Sequence, residues 1–152
     1  MKLGEALKLR SDNYKKIAEL RARAVASAQV QEGTQAADNA SELLAEIEGL
    51  ANETKVLVQR INRTNVRVSL ASGQTLADAI VERDHYLLLR NQIDVVAKAA
   101  GEPQQRYLRS EIRVVRTVEP AELRKREDRL ARAHRELDVA IQEANWTVEL
   151  AE

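Results

Sequence analysis

The sequence predicts a mainly α protein: long antiparallel helical hairpins or a four-helix bundle, with a small β-hairpin or three-stranded β element. Three observations carry that prediction. Apolar residues recur three and four apart over most of the 152 residues, the spacing of one helix face. Aromatic residues make up only 3%, with no Phe and one Trp, so a core has to be built from Leu, Ile, Val and Ala, which suit close helix contacts. The breaks in the pattern fall at turn-forming stretches around Gly33, Gly73 and Gly101 with Pro103.

The first helix spans about 2–30, with Leu3, Leu7, Arg10, Tyr14, Ile17, Arg21, Ala24 and Ala28 on a heptad seam. "QEGTQAADNAS" interrupts it, and Asn39 or Ser41 can cap the next helix. That second helix, about 41–64, carries Leu43, Ile47, Leu50, Thr54, Leu57 and Ile61, with Leu44, Ala51 and Val58 widening its apolar face enough for two neighbours. Val66, Val68 and Leu70 then alternate before "SGQ", which predicts a β element over about 65–75. Thr75 and Asp78 give a capping-box-like start to a third helix at about 76–100, running through Ala79, Ile80, Arg83, Leu87, Arg90, Ile93 and Ala97. Ile112, Val114 and Val118 alternate within about 110–118, consistent with a strand joining the hairpin. Pro120, with no N–H to leave unpaired, suits the first position of a last helix at about 120–150. The whole, 1–152, reads as a single helical domain. A helix of about 25 residues is roughly 37 Å long, longer than a compact domain of this size needs, so another copy of the chain is expected to complete the helix faces.

Composition excludes several classes of function. Lys and Arg number 24 against 24 Asp and Glu, which removes the overall positive potential of most nucleic-acid and anionic-membrane binders. Arg106, Arg109, Arg113, Arg116, Arg124, Lys125 and Arg126 form the most basic stretch, but Glu111, Glu119 and Glu122 interrupt it and stacking aromatics are scarce, so nucleic acid is not the expected partner. There is no Cys, hence no disulfide, thiolate metal site or cysteine nucleophile. "MKLGEALKLR" has no apolar run of signal-peptide length and nothing approaches a membrane span, so a cytoplasmic protein with no membrane partner is expected. Glu82 and His85 have the Glu-x-x-His spacing of di-iron bundles, but Ala131 stands three residues before His134, so the second copy of the motif is missing and no metal is expected. Neither His lies in a recognisable catalytic context and phosphate-binding Gly-rich loops are absent, so no catalytic residues and no cofactor are assigned.

What remains is a set of polar residues where a helix seam should be apolar. Arg10, Arg21, Arg83 and Arg90 fall on the seams, with Asp84 and Glu127 as candidate partners. A guanidinium at a helix interface either meets carboxylates there, fixing register and partner choice, or holds an anion. "NRTN" at 62–65 ends the second helical run. Asn65 suits the left-handed conformation of a helix end, Asn62 and Thr64 can bond the last carbonyls, and nearby Arg60, Arg63 and Arg67 leave room for an anion or partner.

The phrases "EALKLR", "VQEG", "RINRTN", "TLADAI" followed by "RD", "YLRSEI", "TVEPAELRK", "RELD" and "IQEANW" together resemble a family of small, largely uncharacterised bacterial proteins often labelled septicolysin-like. The resemblance runs over nearly the whole chain, with "RINRTN" and "NWT" its most specific parts. It implies a mostly helical, cytoplasmic bacterial protein without an established activity. The label also implies a pore-forming cytolysin, but cholesterol-dependent cytolysins carry a Trp-rich segment with a Cys, whereas this chain has one Trp and no Cys. The expected function is that of a structural or interaction protein forming a homo-oligomeric helical assembly. The alternative is an anionic-ligand-binding protein or an enzyme whose site, at the subunit interface, draws on Arg10, Asn62, Arg63, Asn65, Arg83, Asp84 and Arg90.

Overall fold

A computed structural model of the chain describes residues 1–102 and 114–152. Among the described residues there are four helices: α1 (Leu3–Ala26), α2 (Ala40–Arg67), α3 (Leu76–Gly101) and α4 (Pro120–Thr147). The protein is mainly α. The helix starts follow local chemistry: Asn39 caps α2, its Oδ1 accepting from the N–H groups of Ser41 (3.0 Å) and Glu42 (3.3 Å). Pro120 occupies the first position of α4. At the start of α1 the Glu5 carboxylate reaches back to the Lys2 N–H at 2.7 Å, the half of a capping box that a carboxylate can supply.

The expected β element is not there. Among the described residues there is no strand, only two isolated bridges, Lys2 with Glu149 and Ser69 with Thr75, the second of them within the expected 65–75 element. Residues 65–67 belong to α2, whose ladder continues until the Val68 N–H bonds the Thr64 carbonyl at 3.0 Å. The alternation of Val66, Val68 and Leu70 therefore marks a helix end followed by a tight turn, closed by Leu70 N–H to Gln74 O and Leu76 N–H to Val68 O, both 2.8 Å. Gly73, at φ +85°, supplies the left-handed residue of this turn, a conformation that would strain any residue with a Cβ. Residues 114–118 form no strand, and Ile112 lies outside the described residues.

The chain divides into two compact units, Met1–Leu76 with Gln142–Glu152, and Ala77–Ile141. In the first, α1 and α2 pack as an antiparallel pair. Arg23 meets Asp38 (2.5 Å), Lys16 meets Glu46 (2.9 Å), and the Asn13 amide donates to Thr54 Oγ1 at 3.0 Å, so residues advance along one helix as they retreat along the other. Leu20, Ala24 and Leu43 form a buried cluster with Ile47 against it. The opposite end of the pair closes on the last residues of the chain: Leu3 N–H donates to Val148 O at 3.0 Å and Leu150 N–H to Met1 O at 2.9 Å. Leu3, Ala6, Ile61, Leu76 and Leu150 are buried in this unit. Gly4 permits a close approach there: a Cβ on it would lie 3.1 Å from both the Asn145 carbonyl oxygen and the Trp146 ring, so these would have to give by a few tenths of an ångström.

In the second unit, α3 and α4 run antiparallel, joined by Arg83–Asp138 at 3.1 Å and Arg124–Asp94 at 2.8 Å. The buried side chains described in this unit are Ala79, Ala97, Ile141 and Glu127, three of them small or polar.

Candidate functional site

The seven residues singled out in the sequence are divided between the units. Arg10, Asn62, Arg63 and Asn65 belong to the first, Arg83, Asp84 and Arg90 to the second. Arg83 is half-buried, and its guanidinium donates from Nε (3.0 Å) and Nη2 (2.8 Å) to Asp84 and from Nη1 (3.1 Å) to Asp138. Burial disfavours its charge, but the bonds to Asp84 and Asp138 outweigh that and hold its pKa above the usual arginine value. Arg90 is exposed on α3, while Arg10 is half-buried on α1.

"RINRTN" has a definite job in the first unit. Asn62 and Arg63 are exposed, Asn65 is half-buried, and none of the described non-glycine residues adopts a positive φ, so Asn65 is not a left-handed cap. The motif instead grips the C-terminal segment. Arg60 Nε donates to Ala151 O at 2.8 Å and Arg63 Nη1 to Glu152 O at 3.0 Å. Thr64, only 1% exposed, donates its hydroxyl to Arg60 O at 2.8 Å and accepts the Ala151 N–H at 2.9 Å. One hydroxyl thus bonds two half-buried backbone groups, an arrangement that ties the C-terminal segment to the helix. Sequence spacing could not reveal this, since the partners stand 87 to 91 residues apart.

Unexpected in the sequence is a network on α3 and α4. Asp94 accepts from Lys98 Nζ (2.6 Å) and Arg124 Nη1 (2.8 Å), and the same Arg124 nitrogen reaches Glu127 at 2.6 Å. The Lys98 bond, then the Arg124 bond, hold the Asp94 carboxyl below its usual pKa. Glu127, read in the sequence as a partner for seam arginines, is buried beside Arg124. A cleft of about 550 Å³ opens beside these residues, lined by Ala97, Lys98, Gly101, Glu102, Pro120 and Arg124. Its two cations already meet carboxylates within the chain. Tyr86 donates to Glu82, the carboxylate of the Glu-x-x-His pair. Among the described residues no group of three or more His, Asp or Glu is placed to hold a metal ion.

The most distinctive surface is apolar. Val81, Leu88 and Val95 on α3 are 70%, 56% and 64% exposed, seven residues apart, and therefore lie in one line along the helix. Leu87, Leu89 and Val96 beside them are also exposed. The seam expected for this helix runs through Ala79, Ile80, Arg83, Leu87, Arg90, Ile93 and Ala97. The recurring interval of seven at Val81, Leu88 and Val95 was the signal for a second face. No described helix is long and apolar enough to cross a membrane.

Fold and surface together define a helical protein of two antiparallel helix pairs, one of which shows an unpartnered apolar line. The chain belongs to DUF6847, a family of unknown function, whose pattern matches residues 10–150. It is also similar to a crystal structure described as that of a functionally unknown conserved protein from Corynebacterium diphtheriae, at 43% identity and a TM-score of 0.90, over 99% of this chain and 98% of the other. A comparison with curated proteins finds no match.

Proposed function

We propose that this protein is a structural or interaction protein that assembles as a homo-oligomer, and that the outer face of α3 is its self-association surface. The observation that carries this reading is the exposed line Val81, Leu88 and Val95 with its flanking Leu87, Leu89 and Val96. Fully burying one Val or Leu side chain contributes about 1.5–3 kcal/mol, so covering what these six part-exposed side chains still show to water favours association. Contiguous apolar patches on soluble chains mark interaction sites more often than chance. A cytoplasmic setting accords with a chain that has no Cys to form a disulfide. The resemblance to septicolysin-like proteins adds a family likeness but no chemistry.

The alternative, an arginine-lined site for an anion, draws less support. Arg83 already donates to Asp84 and Asp138, and Arg124 to Asp94 and Glu127.

Native mass spectrometry of untagged protein, gently purified from a bacterial source, tests the proposal. A discrete oligomer without excess mass is expected, and Leu88→Glu should shift it to monomer with unchanged helical circular dichroism. A wild-type monomer at micromolar concentration would sink the proposal. A reproducible excess of small-molecule mass per subunit would favour the ligand reading instead.

A further inference from the structure

The end of α2 holds residues 148–152 as a receptor holds a peptide. The segment follows α4 without being helical and is gripped from two sides through its main chain. On one side it pairs with the first residues of the chain. The Leu3 N–H donates to Val148 O at 3.0 Å and the Leu150 N–H to Met1 O at 2.9 Å, an antiparallel bridge centred on Lys2 and Glu149. On the other side lies a helix, whose own backbone groups are spent in its ladder, so side chains have to reach across. Arg60, Arg63 and Thr64 do so from one face of α2, at positions i, i+3 and i+4, and each bonds a main-chain group of Ala151 or Glu152. Of the segment's own side chains Leu150 is buried, while Glu149 and Glu152 are exposed. Main-chain bonds that give affinity, with an enclosed side chain that gives selectivity, are the physics of peptide recognition by strand addition.

We propose that Met1–Leu3 and the end of α2 form a peptide-binding site, that residues 148–152 are its resident ligand, and that it takes in exchange an extended peptide with leucine at the anchor position. Two observations make the resident removable. Every other buried apolar side chain described in this unit lies on a helix, so Leu150 is the one such side chain that lifting the segment withdraws. The last turn of α4 is closed by the Val148 N–H to Ala144 O at 2.9 Å, ahead of the bonds that hold the segment, so lifting need not unwind the helix. Such weakly enclosed segments open locally, before the fold as a whole. The open site offers two guanidinium groups and a hydroxyl on one helix face, donors for main-chain carbonyls and an acceptor for a main-chain N–H.

Amide hydrogen exchange on the whole chain tests this with an acetylated and amidated peptide, Thr-Val-Glu-Leu-Ala-Glu, the sequence of residues 147–152, and a control with Ser in place of Leu. A tethered segment meets its site at millimolar effective concentration, so about 5 mM free peptide competes with it. The leucine peptide should speed exchange of the Leu150 and Ala151 amides, roughly twofold when its concentration equals its Kd for the open site, and leave Ile61 unchanged. The serine peptide should have no effect. Leu150→Ser in the chain itself weakens the resident and leaves the receptor side chains in place. That variant should bind a fluorescent copy of the leucine peptide about tenfold more tightly than the wild type does, because its site is open more of the time. Unchanged rates at Leu150 and Ala151 with the leucine peptide would overturn the proposal, and so would equal acceleration by both peptides. Exchange of these amides only together with Ile61 would overturn it as well, since the segment would then not open on its own. Should Leu150→Ser fail to fold, the wild-type rates decide alone.

Discussion

The two units are held together by different physics. In the unit formed by Met1–Leu76 and Gln142–Glu152, large side chains such as Leu3, Ile61 and Leu76 are fully enclosed, and the buried hydroxyls of Thr54 and Thr64 have hydrogen-bond partners. In Ala77–Ile141 the described interior holds two alanines, Ile141 and Glu127, and the helices are tied by ion pairs, while the larger Val and Leu side chains of α3 face outward. Exposed ion pairs contribute little to stability, typically 0–1 kcal/mol each. One unit thus encloses large apolar side chains, and the other leaves the Val and Leu side chains of α3 on its surface.

Core truncation should separate the units most sharply. Ile61→Ala removes a fully buried side chain and should cost about 2–5 kcal/mol, read as a lower urea midpoint. Leu88→Ala, at an exposed position, should leave the unfolding of the monomer within about 0.5 kcal/mol of wild type. Comparable losses from both would break the distinction.

A smaller effect is expected at Thr64. Thr64→Val keeps the volume but leaves the Ala151 N–H without its acceptor, which should cost about 1–3 kcal/mol. Amide exchange should accelerate first at Ala151, and unchanged protection there would show that the side chain does not secure the segment.

The mildest probe is acid. Asp94 is held below its usual pKa by Lys98 and Arg124. A group whose folded pKa is depressed binds its proton more readily in the unfolded chain, so its stabilisation is present above the unfolded value of about 3.9 and is lost as pH falls through the lower folded one. Asp38, held down by Arg23, behaves in the same way in the first unit. Because the second unit has less buried apolar volume behind its ion pairs, its backbone protection, corrected for intrinsic exchange, should fall first as pH drops below about 4. Asp94→Asn should flatten that early loss.

Four helices were legible in the sequence because their determinants are local. The heptad intervals, the Asn39 cap and Pro120 at the first turn of α4 act within a few residues and need no tertiary partner. The end of α2 was misread for the opposite reason. Val66, Val68 and Leu70 alternate as a strand would, but the helix persists through Arg67, and the neighbouring Thr64 is buried against a segment from the far end of the chain. The seam arginines were visible as residues but not as contacts. Asp84 was a legible partner for them, whereas only the fold adds Asp138 to Arg83 and gives Glu127 to Arg124, which is not one of the seam arginines.

The bonds that join the first residues of the chain to the last also set an order of events. Lys2 Nζ donates to Thr147 O across 145 residues, at 2.9 Å, and closing a loop of that length costs roughly 4 kcal/mol more than closing an adjacent pair. During synthesis, which delivers about 5–20 residues each second, α1 and α2 emerge early and can pair, and Ala77–Ile141 is complete before the final turn of α4. The first unit, although it holds the N-terminus, is therefore the last to be finished. Until Ala151 and Glu152 leave the ribosome, Arg60, Arg63 and Thr64 at the end of α2 lack the backbone partners that they hold in the folded chain.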